Sequence, residues 1–348
     1  MDEGEIAALV QDADRLAIIG GGTRGPVCEG NVLSTAGLTG ITLYEPAAMT
    51  LVVRAGTPLA EIDAVLATEG QRLAFEPPDM RGLIGRVGQS TIGGVIAANA
   101  AGPRRLQVGA ARDALLGVRF IDGRGDVIVN GGRVMKNVTG MDLTKLMAGS
   151  FGQLGILTEV SLKVMPIPET VATLVCALAD PLPAMAAVLA TPYEVSGLAW
   201  HRGQLFVRVE GFAPSVAVRI DKLIGILARF GMVDPAAIDP WPMIRDVTAL
   251  AAHSVLARVG IKPSLFKELQ GVLPIASEVL LDWGGGLIWV AGDDPNLIVT
   301  LRQFCTQHGG HCTTLKGGGP VFQPQSYDTL MAKLRAQFDP RGIFNQGL

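Results

Sequence analysis

Residues 136–166 read KNVTGMDLTKLMAGSFGQLGILTEVSLKVMP, and this stretch decides the fold. Its spacing predicts a short helix over 143–147, a loop of small residues over 149–155, and then a strand with alternating side chains over 156–164. Glycine has no Cβ, so a loop this rich in glycine lets the backbone come close to a flat or charged group. Two further glycine clusters lie upstream, and the three together indicate a dinucleotide as that group.

Length and composition predict a compact chain of two domains. The chain has 348 residues, of which 49% are hydrophobic and 18% charged, and it is too long for one small core. The formal net charge is −3 and no run of basic residues occurs. Because binding to a phosphate backbone needs clustered Lys and Arg, the sequence argues against a nucleic-acid partner.

The cellular compartment follows from the N-terminus, the apolar runs and the cysteines. Residues 1–16 are acidic and amphipathic, unlike a secretory signal. Apolar runs fall short of the roughly 18 residues that a membrane helix needs, so we expect membrane contact only through a partner. The four cysteines (28, 176, 305 and 312) form no Cys-x-x-Cys pair, which favours a reducing cytoplasm.

The first half of the chain alternates short strands with helices. The predicted strands cover residues 16–19, 42–44, 51–55, 115–121 and 126–130. The last two form a hairpin around the turn DGRG at 122–125. Thr57 is the predicted N-cap of a helix with Pro58 at its first position, and Gly70 ends it.

The character of the chain changes after Pro166 and Pro168. Helices are predicted over 184–189, 216–230 and 297–308, and strands over 198–200, 205–210, 287–290 and 311–315. An amphipathic helix follows near the C-terminus. This pattern is typical of a smaller α+β domain with an antiparallel sheet.

The first upstream glycine cluster spells G-x-G-x-x-G with Gly20, Gly22 and Gly25. A Rossmann fingerprint must open a helix whose N-terminus holds the pyrophosphate, and no helical periodicity follows here. A loop whose backbone N–H groups wrap a pyrophosphate needs no helix, and that interpretation stays open.

The second upstream cluster, residues 88–102, has two interpretations. It could be close packing of small residues, or it could contact a cofactor. Ser90 and Thr91 supply hydroxyl donors beside Gly93 and Gly94, and Asn99 supplies an amide. Such groups suit a ribityl chain or phosphates.

In this order the motifs resemble those of the vanillyl-alcohol oxidase (PCMH-type) family of FAD-binding domains. The chain has GGGT at 20–23, IGGVIAAN at 92–99, GQLGILT at 152–158 and FDPRGIFN at 338–345. The match runs over nearly the full length. The segments at 135–138, 196–198, 282–285 and 309–311 sharpen it, because they are similar to the FAD-binding subunits of bacterial glycolate oxidases.

The resemblance implies the fold and the cofactor site. It implies an α+β fold with a PCMH-type FAD-binding domain over 1–166, a smaller α+β domain over 167–325, and a C-terminal segment over 326–348 that rejoins the first domain. Covalent members place His where this chain has Thr23, and some add Cys in the second loop. No Cys occurs over 82–94, so we expect dissociable FAD. The implied cofactor residues are Gly20, Gly21, Gly22, Thr23, Arg24, Ser90, Thr91, Gly93, Gly94, Asn99, Gly152, Gly155, Ile156 and Asn345.

Candidate catalytic and metal residues are few. Oxidation of a 2-hydroxy acid needs a base for the hydroxyl proton and a cation for the carboxylate. His201 and Arg202 could supply them, or they could be a solvated pair at a strand turn. The group Cys305, His308, His311 and Cys312 has zinc-type ligands but lies at a helix–strand junction, so we predict no metal and leave the catalytic residues unassigned.

The resemblance further implies a subunit of a glycolate oxidase complex that oxidises glycolate to glyoxylate. Its partners there are a longer related flavin subunit and an iron–sulfur subunit, which passes electrons to a membrane acceptor. Two alternatives stay open: a self-sufficient FAD oxidoreductase for another small hydroxy acid, and a structural subunit with a vestigial FAD site. We expect a cytoplasmic protein, peripheral to the membrane only through the complex, with residues 272–290 as a docking face.

Overall fold

The computed structural model describes residues 1–25, 28–133, 141–323 and 328–348. The motif at 135–138 lies outside the described residues. The first half of the chain and the C-terminal segment surround a six-stranded sheet, and the second half forms an eight-stranded sheet. The predicted α+β class is confirmed.

The first half contains eight strands and seven helices within the described residues. The strands are β1 (Leu16–Ile19), β2 (Asn31–Ser34), β3 (Ile41–Glu45), β4 (Thr50–Arg54), β5 (Gln71–Leu73), β6 (Leu115–Ile121), β7 (Val127–Gly131) and β8 (Ile156–Pro166). The helices are α1 (Glu3–Asp12), α2 (Leu59–Thr68), α3 (Arg81–Ile84), α4 (Ile92–Ala97), α5 (Arg105–Val108), α6 (Ala111–Ala114) and α7 (Leu143–Met147).

Strand β8 is the centre of the first sheet, whose order is β3-β4-β8-β6-β7, with β5 pairing the far end of β8. It is antiparallel to both neighbours. From Val160 to Val164 every second side chain is buried, as the alternation predicts. The hairpin of β6 and β7 is confirmed, and its turn is fixed by Asp122, whose Oδ1 accepts from the N–H groups of Arg124 and Asp126.

Strands β1 and β2 form a separate parallel pair at the edge of this half.

The predicted cap of α2 is wrong, because Pro58 occupies the N-cap and Thr57 makes a tertiary contact instead. The Oγ1 of Thr57 accepts from the N–H of Gly40 at 2.9 Å. The side chain of Thr57 therefore connects two loops and does not cap the helix.

The second half continues with eight strands and five helices, and α13 follows near the C-terminus. The strands are β9 (Thr170–Ala177), β10 (Gly197–His201), β11 (Gln204–Gly211), β12 (Val233–Pro235), β13 (Val255–Gly260), β14 (Glu278–Asp282), β15 (Leu287–Gly292) and β16 (His311–Lys316). The helices are α8 (Leu182–Leu189), α9 (Ala213–Leu227), α10 (Trp241–Asp246), α11 (Phe266–Val272), α12 (Leu297–His308) and α13 (Asp328–Phe338).

The second sheet runs β12-β9-β11-β10-β14-β15-β13-β16, and every pairing in it is antiparallel, as predicted. It has more strands than the first sheet, although it belongs to the segment expected to be smaller. The helices α8, α9, α11 and α12 cover one face and bury the larger core. The opposite face packs α10 together with Met80 and Leu83 of the first half.

Buried ion pairs join the two halves. Glu76 accepts from both terminal nitrogens of Arg208, at 2.9 and 2.8 Å. Arg104, which is only 2% exposed, pairs with Glu210 at 2.6 Å, and Arg72 reaches the same carboxylate at 3.2 Å. Because an unpaired charge is costly in such surroundings, these pairs fix how the halves meet.

The C-terminal segment returns to the first half, as expected. The N–H of Leu16 donates to the carbonyl of Ile343 at 2.7 Å, and the N–H of Asn345 donates back to Leu16 at 3.0 Å. Asp339 accepts from the N–H groups of Ile343 and Phe344 and holds the turn. The tail thereby extends the β1–β2 pair by one short parallel contact.

The outer surface departs from one expectation. In the segment 272–290, Leu280, Leu281 and Ile288 are buried in the sheet, so these strands offer no docking face. The exposed large hydrophobic side chains of this segment are Val272 and Ile275, which lie before its first strand. Within the described ranges, we find no helix whose length and hydrophobicity would let it span a bilayer.

Candidate cofactor-binding site

A cavity of about 310 Å³ lies where the end of β1, helix α4, the turn after α7 and the C-terminal tail meet. The three glycine clusters of the sequence therefore come together around one space. Its lining includes Ala17, Ile18, Ile19, Gly20, Gly22, Arg24, Gly25, Cys28, Arg86, Gly93, Gly94, Ala97, Ala98, Ser150, Phe151, Gly152, Gly155, Leu157, Asn345 and Leu348.

The first two glycine loops pack directly on each other. A Cβ on Gly21 would lie 1.6 Å from the carbonyl oxygen of Gln89, so no side chain fits there. Gly22 differs, because it has a φ of +68° and open space where its Cβ would be. Close packing therefore explains Gly21, whereas Gly22 leaves bare backbone facing the cavity.

Arg24 is the most unusual side chain of this site. Its Nη2 donates to the Oγ of Ser90 at 2.6 Å and to the carbonyl of Pro78 at 3.0 Å. Its Nε and Nη1 are buried and have no hydrogen-bond partner. Burial lowers the pKa of this guanidinium to about 10, so it stays charged at neutral pH. Two unpaired donors on a charged side chain that lines a cavity are suited to an anion.

The hydroxyl and amide groups of the second cluster bond within the protein. Thr91 is the N-cap of α4, and its Oγ1 accepts from the N–H of Gly94 at 3.4 Å. The Oδ1 of Asn99 accepts from the N–H of Arg112 at 3.0 Å. These groups position the loop, and they lie outside the cavity lining.

Asn345 closes the cavity on the side of the C-terminal tail. It is 4% exposed, and its Oδ1 accepts from the N–H of Ile18 at 2.6 Å. Its Nδ2 donates to the carbonyl of Phe151 at 2.7 Å. A Cβ on Gly152 would lie 2.8 Å from that same Nδ2, so the glycine makes room for the amide. The side chain of Asn345 thus connects β1 to the glycine turn through two hydrogen bonds.

Fourteen residues were predicted from the resemblance, and the structure divides them. The lining contains Gly20, Gly22, Arg24, Gly93, Gly94, Gly152, Gly155 and Asn345. The other six, Gly21, Thr23, Ser90, Thr91, Asn99 and Ile156, are not part of this lining.

The electrostatics of the cavity favour an anion. Arg24 and Arg86 both lie in its lining, and neither forms an ion pair within the described part of the chain. Of the residues that the structure describes, no Asp or Glu belongs to this lining. A diphosphate between bare backbone N–H groups and guanidinium groups fits this donor set.

The lining also contains residues outside the predicted set, among them Cys28, Arg86 and Phe151. Cys28 lies beyond the glycine motif and carries no pattern of its own. Burial raises the pKa of its thiol, which lowers its reactivity at neutral pH. Phe151 has an edge-on contact with Phe322, with ring centroids 5.0 Å apart.

A second cavity of about 380 Å³ continues from the first. The two share Arg24, Gly25, Arg86, Ala98 and Phe151. Its far wall comes from the second sheet, through β13, β15 and β16. A ligand too long for the first cavity therefore reaches the junction between the two halves.

Comparison with known proteins identifies the family. Residues 2–131 match the family model described as an FAD binding domain. Glycolate oxidase subunit GlcE of Escherichia coli (strain K12) is 32% identical over 352 residues, which cover 99% of this chain and 95% of that protein. This chain belongs to the glycolate oxidase subunit GlcE family. It is thereby a member of the FAD-binding oxidoreductases, and it carries their FAD-binding domain.

Other relatives match the chain in part. Glycolate oxidase subunit GlcD of Bacillus subtilis (strain 168) is 43% identical over 113 residues, 32% of this chain and 23% of that protein. Mitochondrial D-2-hydroxyglutarate dehydrogenase of Bos taurus is 33% identical over 154 residues, 44% of this chain and 27% of that protein. A solved structure of alkyldihydroxyacetonephosphate synthase shares the fold, with a TM-score of 0.71 at 16% identity over 99% of this chain and 75% of that one.

His201 and Arg202, the candidate base and carboxylate anchor, lie elsewhere in this GlcE-family fold. The Nε2 of His201 is 2.7 Å from Glu278, and Arg202 pairs with the same carboxylate at 2.7 Å. His253 also reaches Glu278, at 3.3 Å. Neither His201 nor Arg202 lines the two cavities. The pair belongs to a polar network at the end of β10 and β14.

The four candidate zinc ligands differ in burial: the two cysteines are buried, and His311 is exposed. Cys305 and Cys312 are buried, and burial together with Cys312 raises the pKa of the Cys305 thiol to about 12. The ring of His308 stacks on Phe304, with centroids 4.3 Å apart. In the described ranges, no group of three or more His, Cys, Asp or Glu side chains is arranged to hold a metal ion.

Proposed function

We propose that this chain is the FAD-binding subunit of a glycolate oxidase complex. In that role it takes part in the oxidation of glycolate to glyoxylate and passes the electrons to partner subunits. The observation that carries the proposal is the pair of buried, unpaired nitrogens of Arg24 at the cavity where three glycine segments meet. The similarity to GlcE over nearly the whole chain supports the same function.

The lining suggests which residues hold the cofactor. Gly20, Gly22 and Arg24 would face the diphosphate together with Gly93 and Gly94. On the other wall, Gly152 and Gly155 would lie beside the adenine and its ribose, with Ile156 behind them and Asn345 towards the flavin ring. FAD, when bound, supplies the acceptor for the two electrons that leave the hydroxy acid.

We infer that the FAD is bound without a covalent link. Thr23 stands where a histidine would carry the flavin in covalent relatives, and a threonine hydroxyl offers no such bond. Cys28 is the one thiol among the lining residues that the structure describes. Its raised pKa keeps it protonated, and a thiol is a weak nucleophile compared with a thiolate.

The proposal extends to organisation and partners. We propose an FAD domain over 1–166, a second domain over 167–325 and a returning segment over 326–348. The partners would be a longer related flavin subunit and an iron–sulfur subunit that passes electrons to a membrane acceptor. The chain itself would be cytoplasmic and would reach the membrane only through that complex.

A second candidate is a self-sufficient FAD oxidoreductase for another small hydroxy acid. The second cavity favours it, because that space adjoins the proposed FAD site and is large enough for a small acid. In this case the chain would need no related subunit for turnover.

One experiment separates the candidates. The chain is purified, loaded with FAD and mixed anaerobically with glycolate or D-lactate while the flavin spectrum is recorded. A flavin that stays oxidised until the related subunits are added supports the subunit proposal. Bleaching by the chain alone supports self-sufficiency. A chain that takes up no FAD would contradict both and leave a structural role.

A further inference from the structure

The second cavity contains an arginine, Arg258, that forms no ion pair within the described residues. Arg258 lies in the middle of β13, and its cross-strand neighbours are Trp289 on β15 and Thr313 on β16. All three line the cavity, side by side across three strands. A charged residue at the centre of an otherwise apolar strand is expensive unless a partner or ligand compensates for it.

The surroundings hold Arg258 in place without neutralising it. Its guanidinium lies over the ring of Trp283, 5.0 Å from the centroid, and Arg105 lies 4.3 Å from the same ring. The indole Nε1 of Trp283 donates to the carbonyl of Gly102 at 3.0 Å, which fixes the ring between the two halves. The ring of Trp283 is therefore in contact with two arginines.

Arg208 on the same sheet shows the contrast. It faces the first half and is fully paired, with Glu76 taking both of its terminal nitrogens. Arg258 forms no ion pair within the described residues, although the nearby carboxyl group of Asp282 acts to raise the pKa of Arg258. The Oδ1 of Asp282 is occupied by the N–H of Trp283 at 2.7 Å. Burial lowers the pKa of Arg258 to about 10, which still leaves it charged at neutral pH.

Charge and size restrict what enters. Arg24 and Arg86 line the cavity together with Arg258, and its described lining contains no Asp or Glu. The remaining wall is largely apolar and includes Met80, Ile84 and Phe322. The space of about 380 Å³ therefore suits a small anion with a short carbon chain.

We infer that Arg258 binds the carboxylate of a small carboxylic acid in this cavity. The inference rests on the proposed function, since the cavity adjoins the proposed FAD site, and it goes further by assigning an acid-binding site to this chain itself. The fork of the guanidinium matches the two oxygens of a carboxylate. The hydroxyl of Thr313, in the next strand, is available to a hydroxyl on the neighbouring carbon.

The test uses a probe that cannot be oxidised. The probe is 2-hydroxyisobutyrate, which has no hydrogen on the carbon that bears the hydroxyl. Its uncharged amide, 2-hydroxyisobutyramide, is the matched control ligand. Calorimetry measures binding to the full chain with and without FAD, and the flavin difference spectrum gives a second readout. We expect saturable binding of the acid and at least a tenfold weaker binding of the amide.

Two variants locate the site. Arg258→Gln should weaken binding of the acid by about tenfold or more, because one hydrogen-bonded charge is removed. Arg105→Gln is the matched control, since Arg105 stacks on the same Trp283 but does not line the cavity, and it should change the affinity less than threefold. Arg258→Lys should recover part of the affinity.

Three outcomes would overturn the site: no saturable binding of the acid, equal binding of the amide, or unchanged affinity in Arg258→Gln with its fold intact by circular dichroism. If Arg258→Gln does not fold, Arg258→Lys, which keeps the buried charge, takes its place, and an affinity for the acid equal to that of wild type would overturn the site. A chain that takes up no FAD contradicts the proposed function, whereas the calorimetry without FAD still tests Arg258.

Discussion

Replacing Arg24 with methionine should weaken FAD binding while leaving the fold in place. The Nε and Nη1 of Arg24 are buried and unpaired at the cavity. If they bind the diphosphate, each contact is a hydrogen bond to a charged group, and such a bond contributes about 1.5–3 kcal/mol. Losing one of them already corresponds to roughly a 10- to 150-fold increase in the Kd for FAD.

The stability of the chain without FAD should change far less. Arg24→Met removes hydrogen bonds to Ser90 and Pro78, at 2.6 and 3.0 Å. It also removes a buried charge that lacks an ion-pair partner, and an apolar side chain of similar length fills the space. Replacing a buried charge in this way is often neutral or stabilising, so we expect a change within about 1 kcal/mol.

Quenching of FAD fluorescence on binding gives the Kd, and urea unfolding gives the stability of the same samples. Arg24→Lys should bind more tightly than Arg24→Met but more weakly than wild type, because it keeps the charge and loses the fork. Arg229→Met, at an exposed position on the far side of the second sheet, is the control and should match wild type. A Kd for Arg24→Met within twofold of wild type would refute the reasoning.

Three further predictions concern stability and attachment. Glu76→Gln removes the negative charge that pairs with the buried Arg208 and keeps only one acceptor oxygen for it. The free energy of unfolding in urea should fall by about 3 kcal/mol. A loss below about 1 kcal/mol would contradict this. Cys28→Ser should retain the full FAD content, and wild-type protein precipitated with acid should release its flavin into the supernatant; yellow colour in the pellet would show a covalent link. Burial raises the pKa of Asp282 to about 7, so the folded chain binds a proton there between about pH 4 and pH 7 that the unfolded chain has released. Asp282→Asn keeps an oxygen that accepts from the N–H of Trp283 but cannot titrate. The free energy of unfolding of wild type relative to this variant should therefore fall by up to about 4 kcal/mol from pH 4 to pH 8. A difference that does not depend on pH would contradict the assignment.

Elements with a local cause could be predicted from the sequence. The alternation in β8, the turn of the β6–β7 hairpin and the helix Leu297–His308, which ends at Gly309, all depend on residues close together in the chain. The cap of α2 was predicted wrongly, because the hydroxyl of Thr57 bonds to Gly40, seventeen positions away. Local rules assign the hydroxyl of Thr57 to the helix N-terminus, but a hydrogen bond from Gly40, which is distant in the sequence, occupies it instead.

The site divides in the same way. The glycine motifs led to the cavity, because bare backbone is a property of the residues themselves. Ser90, Thr91 and Asn99 have polar groups that suit a cofactor, yet the side-chain oxygen of each already accepts a hydrogen bond from a neighbour in the fold. Arg258 was missed, and its signal was a single charge within the apolar strand VLARVG. What that charge meets depends on how the two halves pack.

The central claim is that bare backbone and Arg24 enclose the diphosphate of FAD. The most direct test is a crystal structure of this chain grown with excess FAD. The account predicts one FAD, without a covalent bond, with its diphosphate beside Gly22 and within hydrogen-bond distance of Arg24 Nε or Nη1. Electron density for FAD at another place, or a cavity that remains empty with saturating FAD in the crystal, would contradict it.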